Sequence, residues 1–289
     1  METGRIRMNS NGLLSILTFS AIRKDILFYL RNNESKPLDK IKKHMGISLT
    51  PAILPRIKEL KAADLIEQGE DGEYSITDIG DVVATHYKPL LDVLEVIEEN
   101  PGFWTSHDIS PIPKDIRYRI GELKGCNVVT RSGSICEPHL KFTSAVINSF
   151  SFRGATCVFF KEWILLFLEL SCQGFPIEII VTQEIYDKIE QEYAVELEEG
   201  LANPKAHLYI CGDELKAAFA VMDGIDGKFL SLSLYNKVGY DLKQDLMGTT
   251  PESFKWGEDL FEYYKSKSIE VLSSETELVT CSGITKEAF

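Results

Sequence analysis

The chain has 289 residues, 44% of them hydrophobic and 26% charged, with a formal net charge of −13. This balance is ordinary for packed protein and excludes wholesale disorder, and the length suffices for two domains with cores of their own. Residues 1–61 carry 12 Lys and Arg against 5 Asp and Glu (net +7), and residues 62–289 carry 19 against 39 (net −20), so a polyanion would be met at one end only.

Arg5 and Arg7 precede a short apolar run, Gly12 to Ala21, that superficially resembles a secretory signal. The run passes straight into Ile22, Ile26, Leu27 and Leu30, so it reads as the approach to an amphipathic first helix, capped at Ser20, in a cytoplasmic protein.

Residues 37–80 predict a helix-turn-helix followed by a wing. Leu38, Ile41 and Met45 form one stripe at helical spacing, and Ile53, Ile57 and Leu60 form a second. Gly46 between them can take a positive φ past a helix end, Ser48 or Thr50 can cap the next helix, and Pro51 suits its first turn. Leu65-Ile66 then starts a strand, Gln68 to Glu73 turns on Gly69, Asp71 and Gly72, and Tyr74 to Ile76 returns. This layout places a recognition helix in a major groove. Lys40, Lys42 and Lys43 suit phosphate neutralisation, and Ser48 and Thr50 stand at the recognition helix N-terminus. Arg56 is its one arginine, the candidate for base readout, with Lys58 and Lys61 beyond. The first turn has no Asn, Gln or Arg, Pro55 removes an early hydrogen bond, and the wing tip Glu70-Asp71-Gly72-Glu73 is acidic.

Thr77 to Leu94 reads as a helix whose apolar face, Val82, Val83, Tyr87, Leu90, Leu91 and Leu94, suits dimerisation. Asn100-Pro101-Gly102 breaks it, and a short helix is predicted over Lys114 to Leu123. From Asn127 the pattern changes to alternating strands and helices. Strands are expected at Val128 to Thr130, Thr156 to Phe160, Ile177 to Val181 and Ala206 to Ile210, with a hairpin over Lys216 to Leu234. Helices are expected at Glu162 to Leu170, Gln183 to Leu201 and from Thr250 to Ser268. The organisation read from this is a winged helix over 1–88, a helical connector or dimerisation segment over 89–125, an α/β body over 126–270 and a flexible tail over 271–289. The fold class is α/β, multi-domain: N-terminal winged helix-turn-helix, helical connector, C-terminal α/β sandwich domain.

Six cysteines without a CxxC pair suit a reducing compartment, and Cys136 with His139 is at most half a metal site. No cofactor is expected. No run reaches the roughly 20 apolar residues of a membrane span, Trp163 to Leu170 included.

The segments SAIRKDILFYL and IKKHMGISLTPAILPRIKELKAADLI resemble the ArsR-type regulators of archaea. DISPIPKDIRYRIGEL, GFPIEIIVTQEIYDKI and SFKWGEDLFEYYKSKS resemble the middle domain of the methanogenesis-regulator family of methanogenic archaea, and the likeness runs over residues 15–270. It implies a transcription factor acting on genes of methane metabolism.

Catalysis finds little support. His139-Leu140-Lys141 resembles the H-x-K of phospholipase D-like enzymes, which this family's body also resembles. Val146 stands where an Asp would be needed, and there is no second copy. No P-loop, GxGxxG after a strand or HExxH occurs. Trp163 and Trp256 read first as core packing. Trp104 beside His107, together with His139 and Trp256, forms the candidate set for a small-molecule effector. The reading is a dimeric DNA-binding regulator that binds double-stranded DNA and senses a small molecule. The rival is a protein-interaction adaptor whose winged helix no longer binds DNA.

Overall fold

The computed structural model describes residues 12–48, 50–130, 140–212 and 215–272, and divides into two compact units, Met1–Leu91 and Asp92–Phe289.

In the first unit, α1 (Leu13–Thr18) leads into α2 (Ala21–Arg31), whose first turn is closed by the Ser20 hydroxyl accepting the Arg23 amide. Helices α3 (Leu38–His44) and α4 (Thr50–Ala62) follow, then the wing strands β1 (Ile66–Gln68) and β2 (Tyr74–Ile76). The strands pair antiparallel with Glu67 opposite Ser75. Gly46 takes φ +66°, and the Gly46 and Ile47 amides bond back to the Lys43 and Lys42 carbonyls, which ends α3 and turns the chain. The predicted apolar stripes supply the core: Ile26, Leu27, Leu30, Ile41, Ile53, Ile57 and Leu60 are all at most 1% exposed. Thr50 lies inside α4 rather than capping it, and Leu49 is outside the described residues. Helix α5 (Asp78–Glu99) begins where the Thr77 hydroxyl accepts the Gly80 amide. A Cβ on Gly80 would come within 2.0 Å of the Leu65 carbonyl oxygen, so only glycine lets the helix start this close to β1.

The division at Leu91 falls inside α5. In the second unit come α6 (Pro101–Ser106), α7 (Lys114–Arg117), a 3-10 turn (Ile120–Leu123) and β3 (Asn127–Thr130). The expected single helix over 114–123 is thus two short pieces. The segment read as a connector, 89–125, supplies buried core instead: Val96, Phe103, Trp104, Ile112, Ile116 and Leu123 join one cluster with the sheet.

The remaining elements are α8 (Leu140–Ile147), β4 (Ser149–Thr156), α9 (Lys161–Cys172), β5 (Ile177–Thr182), α10 (Gln183–Glu192), α11 (Ala194–Leu201), β6 (Ala206–Cys211), β7 (Ala217–Gly224), β8 (Gly227–Leu234), β9 (Gln244–Gly248), α12 (Pro251–Lys265) and β10 (Ile269–Glu270). They build one eight-stranded mixed sheet in the order β10-β6-β5-β4-β7-β8-β9-β3. The β4–β5 and β5–β6 pairs are parallel and the others antiparallel. Alternate residues serve opposite faces. Phe219, Val221, Leu230 and Leu232 pack with α12 residues Trp256, Leu260 and Phe261. Phe152, Ala220 and Met222 pack on the other side with Val146 of α8 and Phe167 of α9.

Three local expectations are corrected. The strand expected over 156–160 instead ends at Thr156, because the Thr156 hydroxyl accepts the Val158 amide and bonds the Val158 carbonyl, folding the chain out of the ladder. The long acidic helix is two, broken at Tyr193 (φ −140°, ψ 35°). Turning there lets Ile189 and Leu197 pack in one cluster with Leu208. The H-x-K lysine, read in the sequence as part of a strand-adjacent loop, lies in helix α8: Lys141 is its second residue.

Candidate functional site

The groups predicted to meet DNA lie on α3 and α4, and the structure sorts them by what each already touches. Lys40, Lys43 and Ser48 are exposed, and so is Lys58 on α4. Lys42 is partly buried and approaches Asp39 at 3.4 Å, an exposed pairing worth about 0–1 kcal/mol. Lys61 donates to Gln68 Oε1 at 3.0 Å and sits 5.8 Å from the Tyr74 ring centre, so it is tied to the wing. Thr50 is partly buried at the first turn of α4.

Arg56 is engaged within the unit. Its Nη1 reaches Glu59 Oε1 at 3.4 Å, and the same carboxylate accepts from Arg23 Nη1 on α2. Arg23 keeps only 12% of its side chain exposed. One acid thus holds two guanidinium groups where α2 meets α4. The outward face of α4 is left to Pro51, Ala52, Pro55, Lys58 and Ala62, all exposed. Four of these five offer no side-chain hydrogen-bond donor, so this face can meet a base edge only by apolar contact, apart from Lys58. The wing tip is acidic as read: Glu70, Asp71 and Gly72 are exposed, and Asp71 Oδ1 accepts the Glu73 amide at 3.0 Å.

Three of the four candidate effector residues, Trp104, His107 and Trp256, fall into the core of the second unit. Trp256 is 0% exposed and its indole N–H donates to the Ile116 carbonyl at 3.0 Å. Trp104 donates to the Val96 carbonyl at 3.0 Å and meets Phe103 edge-on. Both indoles therefore have their single donor satisfied inside packed structure. His107 is buried, with Nδ1 2.9 Å from the Phe103 carbonyl and Nε2 3.0 Å from Asp241 Oδ2. The Ser106 hydroxyl also lies 3.0 Å from Nδ1, so the ring is held at both edges within the unit. Burial alone would raise the Asp241 carboxyl, but the Lys243 amide and His107 outweigh it and hold the group below its ordinary value. His139 and Cys136 lie outside the described residues.

Among the described residues no three His, Cys, Asp or Glu side chains converge as a metal site, and no helix is long and apolar enough to cross a membrane. The six-cysteine count and its spacing were legible in the sequence. The use of Arg56 was not, because Glu59 three residues on also faces Arg23, which only the packing of α2 on α4 reveals.

Comparison with known proteins gives two family matches. Residues 12–95 match the N-terminal domain, and residues 135–267 the middle domain, of methanogenesis regulatory protein FilR1. A curated relative, methanogenesis regulatory protein FilR1 of Methanothrix harundinacea (strain 6Ac), is 27% identical over 281 residues. That match takes in 95% of this chain and 61% of the relative, so the chain spans about three fifths of the relative's length. Among solved structures, that of TrmBL2, an archaeal chromatin protein with a novel mode of DNA binding, matches 86% of this chain and 94% of its own at 10% identity and a TM-score of 0.40.

Proposed function

Because the chain belongs to the methanogenesis regulatory protein FilR1 family, we propose that it is a DNA-binding transcriptional regulator of methane-metabolism genes, dimeric, with the larger unit sensing a small molecule. The observation that carries the reading is the exposed cationic face of α3, Lys40 and Lys43, on the first helix of the helix-turn-helix and inside the basic stretch of an acidic chain. Repulsion from the acidic remainder keeps a polyanion at that face. The residues on α4 favour backbone contact over base readout, so affinity comes mainly from phosphate neutralisation.

Fluorescence anisotropy with duplex DNA over a salt series tests the reading. Binding whose log affinity falls with log salt at about −0.9 per phosphate contact is expected. An absence of binding at low salt, with the protein folded, would overturn it and favour the adaptor, which the acidic wing tip and the donor-poor α4 face suit.

The dimer is argued from α5. Ile79, Val82 and Leu90 are 57%, 54% and 50% exposed and lie within one narrow stripe at helical spacing. Covering the exposed half of each in a twofold contact gains on the order of 1 kcal/mol. Leu90→Glu should convert dimers to monomers in sedimentation velocity while leaving the circular dichroism unchanged. Wild-type protein that sediments as a monomer at micromolar concentration would refute the dimer.

A further inference from the structure

The space between α9 and the sheet is not filled by the residues that face it. Towards α12, β7 and β8 present Phe219, Val221, Leu230 and Leu232. On the α9 side the alternate positions are Ala218, Ala220, Ser231 and Ser233, and the register sets Gly154 of β4 beside Ala220. Side chains this small cannot reach the helix above, and a cavity of ≈ 100 Å³ is left. Phe142 of α8 with Trp163 and Phe167 of α9 cover it, Phe142 edge-on to Trp163 at 4.6 Å between ring centres.

Three Ser or Thr hydroxyls line this chamber, and two are committed. The Thr156 hydroxyl serves the Val158 amide and carbonyl, and the Ser233 hydroxyl donates to Asp245. The third, on Ser231, has no partner among the described residues, although Ser231 is only 5% exposed. A buried hydroxyl left unpaired costs about 1–3 kcal/mol, which alanine at the same place would avoid. The walls set the charge of what could meet it. None of the described lining residues is basic, so an anion finds no counter-charge. Asp245 is already engaged, by Ser233 and by a further contact, so it is no open seat for a cation. A neutral guest suits such walls. The volume sets its size, since an engineered apolar cavity of about 150 Å³ elsewhere holds a benzene.

We propose that this cavity binds a neutral ring compound of about five or six non-hydrogen atoms with one hydroxyl or carbonyl group, its oxygen at Ser231 and its ring against Trp163. The proposal rests on the reading of this unit as a sensor and names the class of its ligand. Its test uses no DNA, so the cavity and the DNA-binding reading fail separately.

The full chain and its variants are titrated at neutral pH with cyclopentanol, methylcyclopentane, cyclopentylamine and cyclopentanecarboxylate, followed by thermal shift and tryptophan fluorescence. Cyclopentanol should bind, and the two ions should bind more than tenfold more weakly, because each must shed its water without a free partner. Ser231→Ala should weaken cyclopentanol about fivefold, the worth of one neutral hydrogen bond, and leave methylcyclopentane no weaker. Without ligand, Ser231→Ala should melt no lower than the wild type, since the hydroxyl it removes is unpaired. Ala218→Leu should abolish binding by filling the floor. A wild-type chain that does not bind cyclopentanol, or that binds either ion as tightly, overturns the proposal. So does a Ser231→Ala protein that melts lower or that binds cyclopentanol unchanged, or a folded Ala218→Leu protein that still binds. Should Ala218→Leu fail to fold, the wild-type ranking and Ser231→Ala decide.

Discussion

Replacing Lys40 and Lys43 together with alanine should flatten the salt dependence of DNA binding by about 2 units of slope and weaken affinity at 0.1 M salt by about two orders of magnitude. Both side chains are exposed on α3, so neither has a structural role to lose. The weakening should be equal for every duplex, because a point charge on a phosphate carries no sequence information. Lys42 is the instructive control. It is partly buried beside Asp39, so Lys42→Ala should move the slope by less than either neighbour does. Anisotropy titrations at four or more salt concentrations measure all of these. An unchanged slope in the Lys40/Lys43 variant would mean that α3 does not face DNA, and the adaptor reading would then gain.

Trp256→Ala should cost the larger unit about 3–5 kcal/mol. The indole is wholly buried under α12 against the sheet, and its loss also strips the Ile116 carbonyl of its donor. Trp256→Phe should cost less, since the ring volume is largely kept while the hydrogen bond is lost. Urea unfolding is the measurement, read as two transitions if the two units melt separately. A Trp256→Ala protein with an unchanged midpoint would mean that the side chain is not structural, and a ligand-binding role would return to consideration.

Legibility in the sequence followed the range of the interactions. The helix-turn-helix was readable because its stripes and the glycine at 46 are local, and Ile177 to Val181 was readable because β-branched residues buried on both faces leave a continuous run. Strand β9 was not. Asp245 inside Gln244–Gly248 reads as loop chemistry, yet it is buried in the ladder opposite Val129 and accepts the Ser233 hydroxyl of β8. The cavity was hidden for the same reason. Its floor comes from β4, β7 and β8, and small residues in a strand show no sign in the sequence of what they leave unfilled. Trp163 read as core and does pack there, but one of its surroundings is empty space. The connector at 89–125 misled because its apolar residues, Phe103 and Trp104 among them, have partners far along the chain. A truncation after Gly125 would strand those side chains without their core, so a stop within α5 after Leu91 is the better test of the first unit alone.

The strand pairings also set an order of assembly on the ribosome. The wing strands pair locally, with Gln68 meeting Tyr74 across a short turn, and the longer bridge from Lys36 to Tyr74 stays within the same small unit, so this unit can close soon after it emerges. The body waits. Strand β3 finds its partner only when Met247 arrives to face Asn127, and β6 gains its outer neighbour only with Ile269. Closing such long loops is costly before any contact rewards it, and folding is slow where pairings are this distant. A nascent chain therefore presents a finished basic module while its acidic sheet is still incomplete.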